Sequence, residues 1–139
     1  MDDKGSRWAN QMCNNCTAMG TFFHPLTLVG PTGLTETLDA MVDTGAMFTV
    51  IPRPILDRLG VQPFDTIPVR FASGQEERWP IGQLQAHLDG RERPILCLFG
   101  SPDAPPLIGA HALEAFLLMV DPVEHKLVPK EALLMQLWY

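Results

Sequence analysis

The chain has 139 residues, enough for one domain with a core of its own and too few for two. It is 46% hydrophobic and 19% charged, and its 13 prolines and 11 glycines imply many turns, so β-structure rather than a helical bundle. A net charge of −6, with no run of five or more Lys or Arg, argues against nucleic acid as a partner, and three cysteines make no disulfide framework.

Residues 1–20 read as a flexible N-terminal extension: they are rich in Asn, Asp, Lys, Gly and Ser and show neither a two-residue nor a 3.6-residue period. Met1-Asp2-Asp3-Lys4-Gly5 lacks the basic-then-apolar order of a secretory signal, and no apolar run reaches bilayer length. The expectation is a cytoplasmic protein of bacterial type without membrane contact. Cys13-Asn14-Asn15-Cys16 has C-x-x-C spacing, but no second pair accompanies it, and neither a strand before it nor a helix after it supports a redox motif. No metal or cofactor is expected. The four histidines, His24, His87, His111 and His125, stand far apart without ligand spacing.

The texture changes at Thr21. Thr21–Val29 and Leu34–Val42 read as strands around the turn Gly30-Pro31-Thr32-Gly33. A tight turn at Asp43–Gly45 follows, then the β-branched and aromatic run Phe48–Ile51. Pro52–Leu59 suits a short helix, with Pro54 near its start and Gly60 as its left-handed stop. Ile67–Phe71 and Trp79–Leu88 are strand-like around Ala72-Ser73-Gly74-Gln75. Asp89-Gly90 is a two-residue hairpin turn leading to a strand that ends at Phe99. Leu107-Ile108-Gly109, a short helix over His111–Phe116 and a strand over Leu117–Val120 complete the domain, with Cys97 on an apolar strand as a core residue. The order turn, strand, Val42-Asp43-Thr44-Gly45, strand and helix in the first half is thus echoed by turn, strand, Leu107-Ile108-Gly109 and helix in the second, as in a diverged duplication. Residues 130–139 fit a helix or a strand, and their apolar surface needs a partner, within the chain or across a dimer.

Val42-Asp43-Thr44-Gly45-Ala46 carries the chemistry. A strand ending there delivers a carboxylate to the edge of the core, Gly45 admits a close neighbour, and the Thr44 hydroxyl can brace the turn. Two such carboxylates a few ångströms apart cannot both ionise and so share a proton, one acting as acid and the other as base. The sequence holds one Asp-Thr-Gly, so the second must come from a second copy related by a two-fold axis.

Met41–Val50, with Asp-Thr-Gly-Ala among apolar residues, resembles the retropepsin-type aspartic proteases, including their bacterial single-domain relatives. Pro106-Leu107-Ile108-Gly109 resembles the family's hydrophobic-hydrophobic-Gly element, and Val69–Ile81 stands where the family carries its flap. The resemblance covers roughly residues 21–129. It implies a mostly β, single-domain closed barrel or sandwich with one or two short helices, in which chain ends supply dimer strands. It further implies an aspartic endopeptidase whose dyad is Asp43 from each copy, with Thr44 and Gly45 beside it. Ala46 and Met47, together with Ala72, Ser73 and Gly74 of the flap, would touch a peptide or protein substrate. The alternative is a catalytically inactive dimerisation or peptide-binding module on the same fold.

Three departures from the viral pattern bear on this. Viral members usually pair an Arg after the second motif's Gly with an Asp after Asp-Thr-Gly-Ala; here those places hold Ala110 and Met47, so both partners are missing together. The flap has one glycine and the charged run Gln75-Glu76-Glu77-Arg78 instead of a Gly-rich tip. Ala46 has no hydroxyl to donate to the dyad, which implies a less acidic activity optimum than in pepsin-like enzymes.

Overall fold

The structure, a computed structural model, describes residues 22–132 and Leu134. The expectations for the N-terminal extension, for Cys13-Asn14-Asn15-Cys16 and for most of the C-terminal segment therefore lie outside the described residues; residues 130–132 are in neither helix nor strand.

Strands β1 (Phe22–Val29) and β2 (Thr35–Val42) form an antiparallel hairpin in the register Phe22↔Val42 to Val29↔Thr35. Strand β3 (Thr49–Pro52) runs directly into helix α1 (Arg53–Arg58), which has a proline in its first turn and stops at Gly60, whose φ of +81° suits a residue without Cβ. A long hairpin follows, built from β4 (Pro63–Arg70) and β5 (Glu76–Leu88). Asp89 (φ 55°) and Gly90 (φ 81°) turn β5 into β6 (Arg91–Gly100), and two successive positive φ values are what a two-residue hairpin turn of this hand requires. Strand β7 (Leu107–Ile108), helix α2 (Ala110–Ala115) and the small hairpin β8 (Leu118–Asp121) with β9 (Lys126–Pro129) complete the described chain. Strand β9 has no counterpart in the sequence reading, because a four-residue strand is fixed by its partner rather than by its own short pattern.

The seven-stranded sheet has the order β1-β2-β7-β3-β6-β5-β4, and β5 also pairs with β1 through Thr27–Val29, so the sheet returns on itself. The expected mostly β fold with two short helices is what forms. Strand β2 pairs parallel with β7, and β3 pairs parallel with β6. Exchanging β1, β2 and β3 for β5, β6 and β7 reads the closed part of that order backwards, and each half ends in a short helix. This is the two-fold relation that a duplicated unit implies.

Alternation sets the core. On β5, Leu84, Ala86 and Leu88 are buried, while of the residues between them Gln85 is half-buried and His87 exposed. Leu26 and Leu28 of β1, Ile95, Cys97 and Phe99 of β6, and Leu56 of α1 pack with them in one cluster. Burial pushes the Cys97 thiol from 9.0 up to about 12, because a thiolate would lose its water there. Among the described residues, no helix is long and apolar enough to cross a membrane.

Candidate active site

Asp43 stands at the point where β2 leaves the sheet. The parallel pairing with β7 carries it there: the Met41 N–H donates to Pro106 O and the Asp43 N–H to Ile108 O, both at 3.0 Å. The next residues close a tight turn in which the Ala46 N–H donates to Asp43 O at 3.2 Å. Within that turn the Gly45 N–H donates to Asp43 Oδ1 at 2.9 Å, so a backbone amide holds the carboxylate in place. Gly45 does not occupy the left-handed region. Its value is spatial, since a Cβ there would sit 3.3 Å from Asp43 Oδ1 and crowd the group the turn presents.

The Leu-Ile-Gly element clamps the loop from beneath. A Cβ on Gly109 would lie 2.4 Å from the carbonyl carbon of Phe48, so only glycine lets β7 cross the chain there. The Gly109 N–H donates to Thr49 Oγ1 at 3.2 Å, and Thr49 is the buried polar side chain of the described core, 1% exposed. At the start of α2, the Ala110 N–H donates to Ala46 O (2.8 Å) and the His111 N–H to Met47 O (2.9 Å). These main-chain bonds join the two motifs at the very positions where the viral Arg–Asp pair is absent. The junction needs no ion pair, because helix N-terminal amides lack partners within the helix and the Asp43–Met47 loop supplies carbonyls.

A cleft of about 760 Å³ opens over this loop. Its floor is Asp43, Gly45, Ala46, Met47 and Phe48; Met47 is 68% exposed. The β4–β5 hairpin forms the opposite wall through Ile67, Val69, Arg70, Phe71, Glu77 and Trp79. Rings of Phe71 and Trp79 meet edge to face with centroids 5.7 Å apart. The hairpin tip is closed by the Phe71 N–H to Gln75 O (2.9 Å) and the Gly74 N–H to Phe71 O (2.8 Å), with Gly74 at φ +90°. An Arg70–Glu76 ion pair spans the base of the tip. Ser101, Ala104 and Pro105 close one end.

Of the residues singled out in the sequence, Asp43, Gly45, Ala46 and Met47 come together in the cleft. Thr44 is exposed beside it, and its hydroxyl has no hydrogen-bond partner among the described residues. Ala72, Ser73 and Gly74 lie at the exposed hairpin tip and do not line the cleft of the single chain. The wall residues Ile67, Phe71, Glu77 and Trp79 went unmarked as site residues; the one available signal was the alternation of the two strands, which puts them on a common face. Among the described residues, no three His, Cys, Asp or Glu side chains gather into a metal-sized cluster.

Fold and site together define a class: a single-domain, retropepsin-like fold bearing one Asp-Thr-Gly loop per chain. Comparison with known proteins bears the resemblance out. A family model described as aspartyl protease matches residues 27–88, the stretch from β1 through the Asp-Thr-Gly loop and the flap to the end of β5. The retroviral protease-like domain of Ddi1 from Leishmania major superposes with a TM-score of 0.53 at 18% identity, over 81% of this chain and 90% of that one. A retropepsin-like aspartic protease from Rickettsia conorii gives a TM-score of 0.48 at 21% identity, over 73% of this chain and 87% of that one. Simian foamy virus protease gives 0.47 at 23% identity, over 66% and 92%. No curated protein matches the chain.

Proposed function

We propose that this chain is an aspartic endopeptidase that works as a homodimer, with Asp43 of each copy forming the catalytic pair. The observation that carries the reading is the placement of Asp43: it lines a peptide-sized cleft with Gly45, while Thr44 beside it is exposed and open to a second copy. A two-fold axis next to Asp43 brings two identical carboxylates together. One, protonated, donates to the carbonyl oxygen of the scissile bond. The other, ionised, takes a proton from the attacking water. The Gly45 amide keeps each carboxylate aimed while the proton moves, and the Thr44 hydroxyl is available to the partner copy. A peptide laid as a strand between the loop and the β4–β5 hairpin would meet Ala46 and Met47 below, with Ala72–Gly74 of the tip closing over it.

A second reading, a non-catalytic peptide-binding or dimerisation module, draws on the flap, whose tip is tied by the Arg70–Glu76 pair. One experiment separates the two. Wild type and Asp43→Asn are incubated with a diverse peptide library from about pH 4 to 7, with and without a statine-type inhibitor, at concentrations where sedimentation shows a dimer. Cleavage that disappears in Asp43→Asn and with inhibitor supports the peptidase. Absence of any Asp43-dependent cleavage from the dimer refutes it.

A further inference from the structure

The inner face of the β4–β5 hairpin holds one residue that its surroundings do not explain. Register sets Ile67 opposite Trp79 and Val69 opposite Glu77, and all four line the cleft. Three are apolar or aromatic. The fourth is a carboxylate where the two-residue period calls for another hydrophobic side chain. Glu77 accepts one hydrogen bond, from the Trp79 indole N–H at 2.9 Å, out of about four that a carboxylate can take. The cations of the same hairpin are engaged elsewhere: Arg70 pairs with Glu76, and Arg78 donates to the carbonyl of Thr66 at 2.8 Å. Among the described residues, Glu77 therefore has no cationic partner.

We propose that Glu77 is a specificity-determining residue that selects peptides with a lysine or arginine side chain beneath the flap. The inference rests on the reading of this cleft as a peptide-cleaving site. A substrate side chain rising between Val69 and Trp79 finds apolar walls for its methylene stem and a carboxylate for its charged end, the two halves of a lysine or arginine. The indole N–H fixes the carboxylate beforehand, so little side-chain freedom is lost when the cation arrives. Glu77 is exposed in the single chain, and an acidic substrate side chain at the same place would set two carboxylates against each other, which selects against it. The chain's charge of −6 favours cationic peptides at longer range.

The test uses peptides that vary only in Lys, norleucine or Glu at each position around the scissile bond, with wild type, Glu77→Gln and Glu77→Lys. Glutamine keeps the oxygen that accepts from the indole and loses only the charge. A role confined to holding Trp79 would thus leave the preference intact. The expected result at one position is a kcat/KM for the Lys peptide about fivefold to tenfold above norleucine, falling to parity in Glu77→Gln. In Glu77→Lys the ranking of Lys and Glu peptides inverts. A wild type with no basic preference at any position, or a preference that survives Glu77→Gln, overturns the inference. The same peptides are titrated by calorimetry onto Asp43→Asn and Asp43→Asn/Glu77→Gln. If wild type cleaves nothing, the peptidase reading falls alone, and a Lys-over-norleucine binding ratio lost with Glu77→Gln still upholds the role of Glu77. Equal binding of the two peptides overturns it.

Discussion

Replacing Gly109 by alanine probes the clamp under the Asp43 loop. The backbone there, φ −90° and ψ 173°, suits any residue, so the objection is space alone. A Cβ would lie 2.4 Å from Phe48 C, 2.5 Å from Phe48 O and 2.9 Å from Thr49 N, all backbone atoms that no rotamer change can move. Reaching ordinary contact at about 3.5 Å demands that the two segments separate by roughly 1 Å. Three hydrogen bonds span the same gap: Gly109 N–H to Thr49 Oγ1 (3.2 Å), Ala110 N–H to Ala46 O (2.8 Å) and His111 N–H to Met47 O (2.9 Å). Stretched by about 1 Å, each passes the limit of a hydrogen bond. With about 1 kcal/mol for each of the three lost bonds and about 1–3 kcal/mol for the overpacking, the variant should lose about 4–6 kcal/mol. Urea denaturation at fixed protein concentration measures it as a lower midpoint at unchanged m-value. Gly74→Ala is the control, since nothing lies within 4 Å and only its φ of +90° is strained, costing about 1–2 kcal/mol. A Gly109→Ala protein within 1 kcal/mol of wild type would refute the claim that this crossing holds the loop.

Further outcomes follow from the same contacts. Thr49→Val keeps the shape but strands the buried Gly109 N–H, costing about 1–3 kcal/mol by denaturation; an unchanged midpoint would mean that the amide finds another acceptor. Gly90→Ala forces a side chain to φ +81° in the β5–β6 turn and should lower stability by about 1–2 kcal/mol, whereas a neutral result would imply that the turn adopts another type. The Cys97 thiol has its folded value raised from 9.0 to about 12, so between those limits the unfolded chain binds fewer protons than the folded one. Its contribution is therefore fully present below pH 9.0 and is lost as pH rises toward about 12, at up to about 1.4 kcal/mol per pH unit. Urea unfolding of wild type against Cys97→Ala from about pH 8 to 10.5 should show the two stabilities converging; parallel curves would contradict the burial argument.

The parts legible in the sequence are those whose cause is local. Asp89-Gly90 specifies its turn because adjacent residues must both take positive φ, and only a few residue types do so cheaply. Helix α1 is bounded by Pro54 and Gly60 for equally local reasons. Asp43–Ala46 is a turn closed within four residues by its own Asp side chain and carbonyl, so the tetrapeptide carries its geometry with it. The echo of strand, Val42-Asp43-Thr44-Gly45 and helix in strand, Leu107-Ile108-Gly109 and helix foreshadowed the reciprocal pairing of β2 with β7 and β3 with β6.

What the chain alone did not settle is which residues face Asp43 across the cleft. Turn chemistry in the sequence marks Ala72–Gly74 of the flap, but the hairpin folds so that Ile67, Val69, Glu77 and Trp79 form the wall. That outcome depends on which face of a two-stranded ribbon turns inward, and the ribbon's direction follows from the pairing of β5 with β1, far away in sequence. The loss of the viral Arg–Asp pair at Ala110 and Met47 likewise read as a gap. Only the tertiary structure supplied the main-chain bonds from α2 that fill it, because backbone groups leave no mark in the sequence. The sequence by itself determined the turn that presents Asp43, its chemistry being short-range. Long-range register, to which any short stretch of sequence is indifferent, decided what that carboxylate looks out upon.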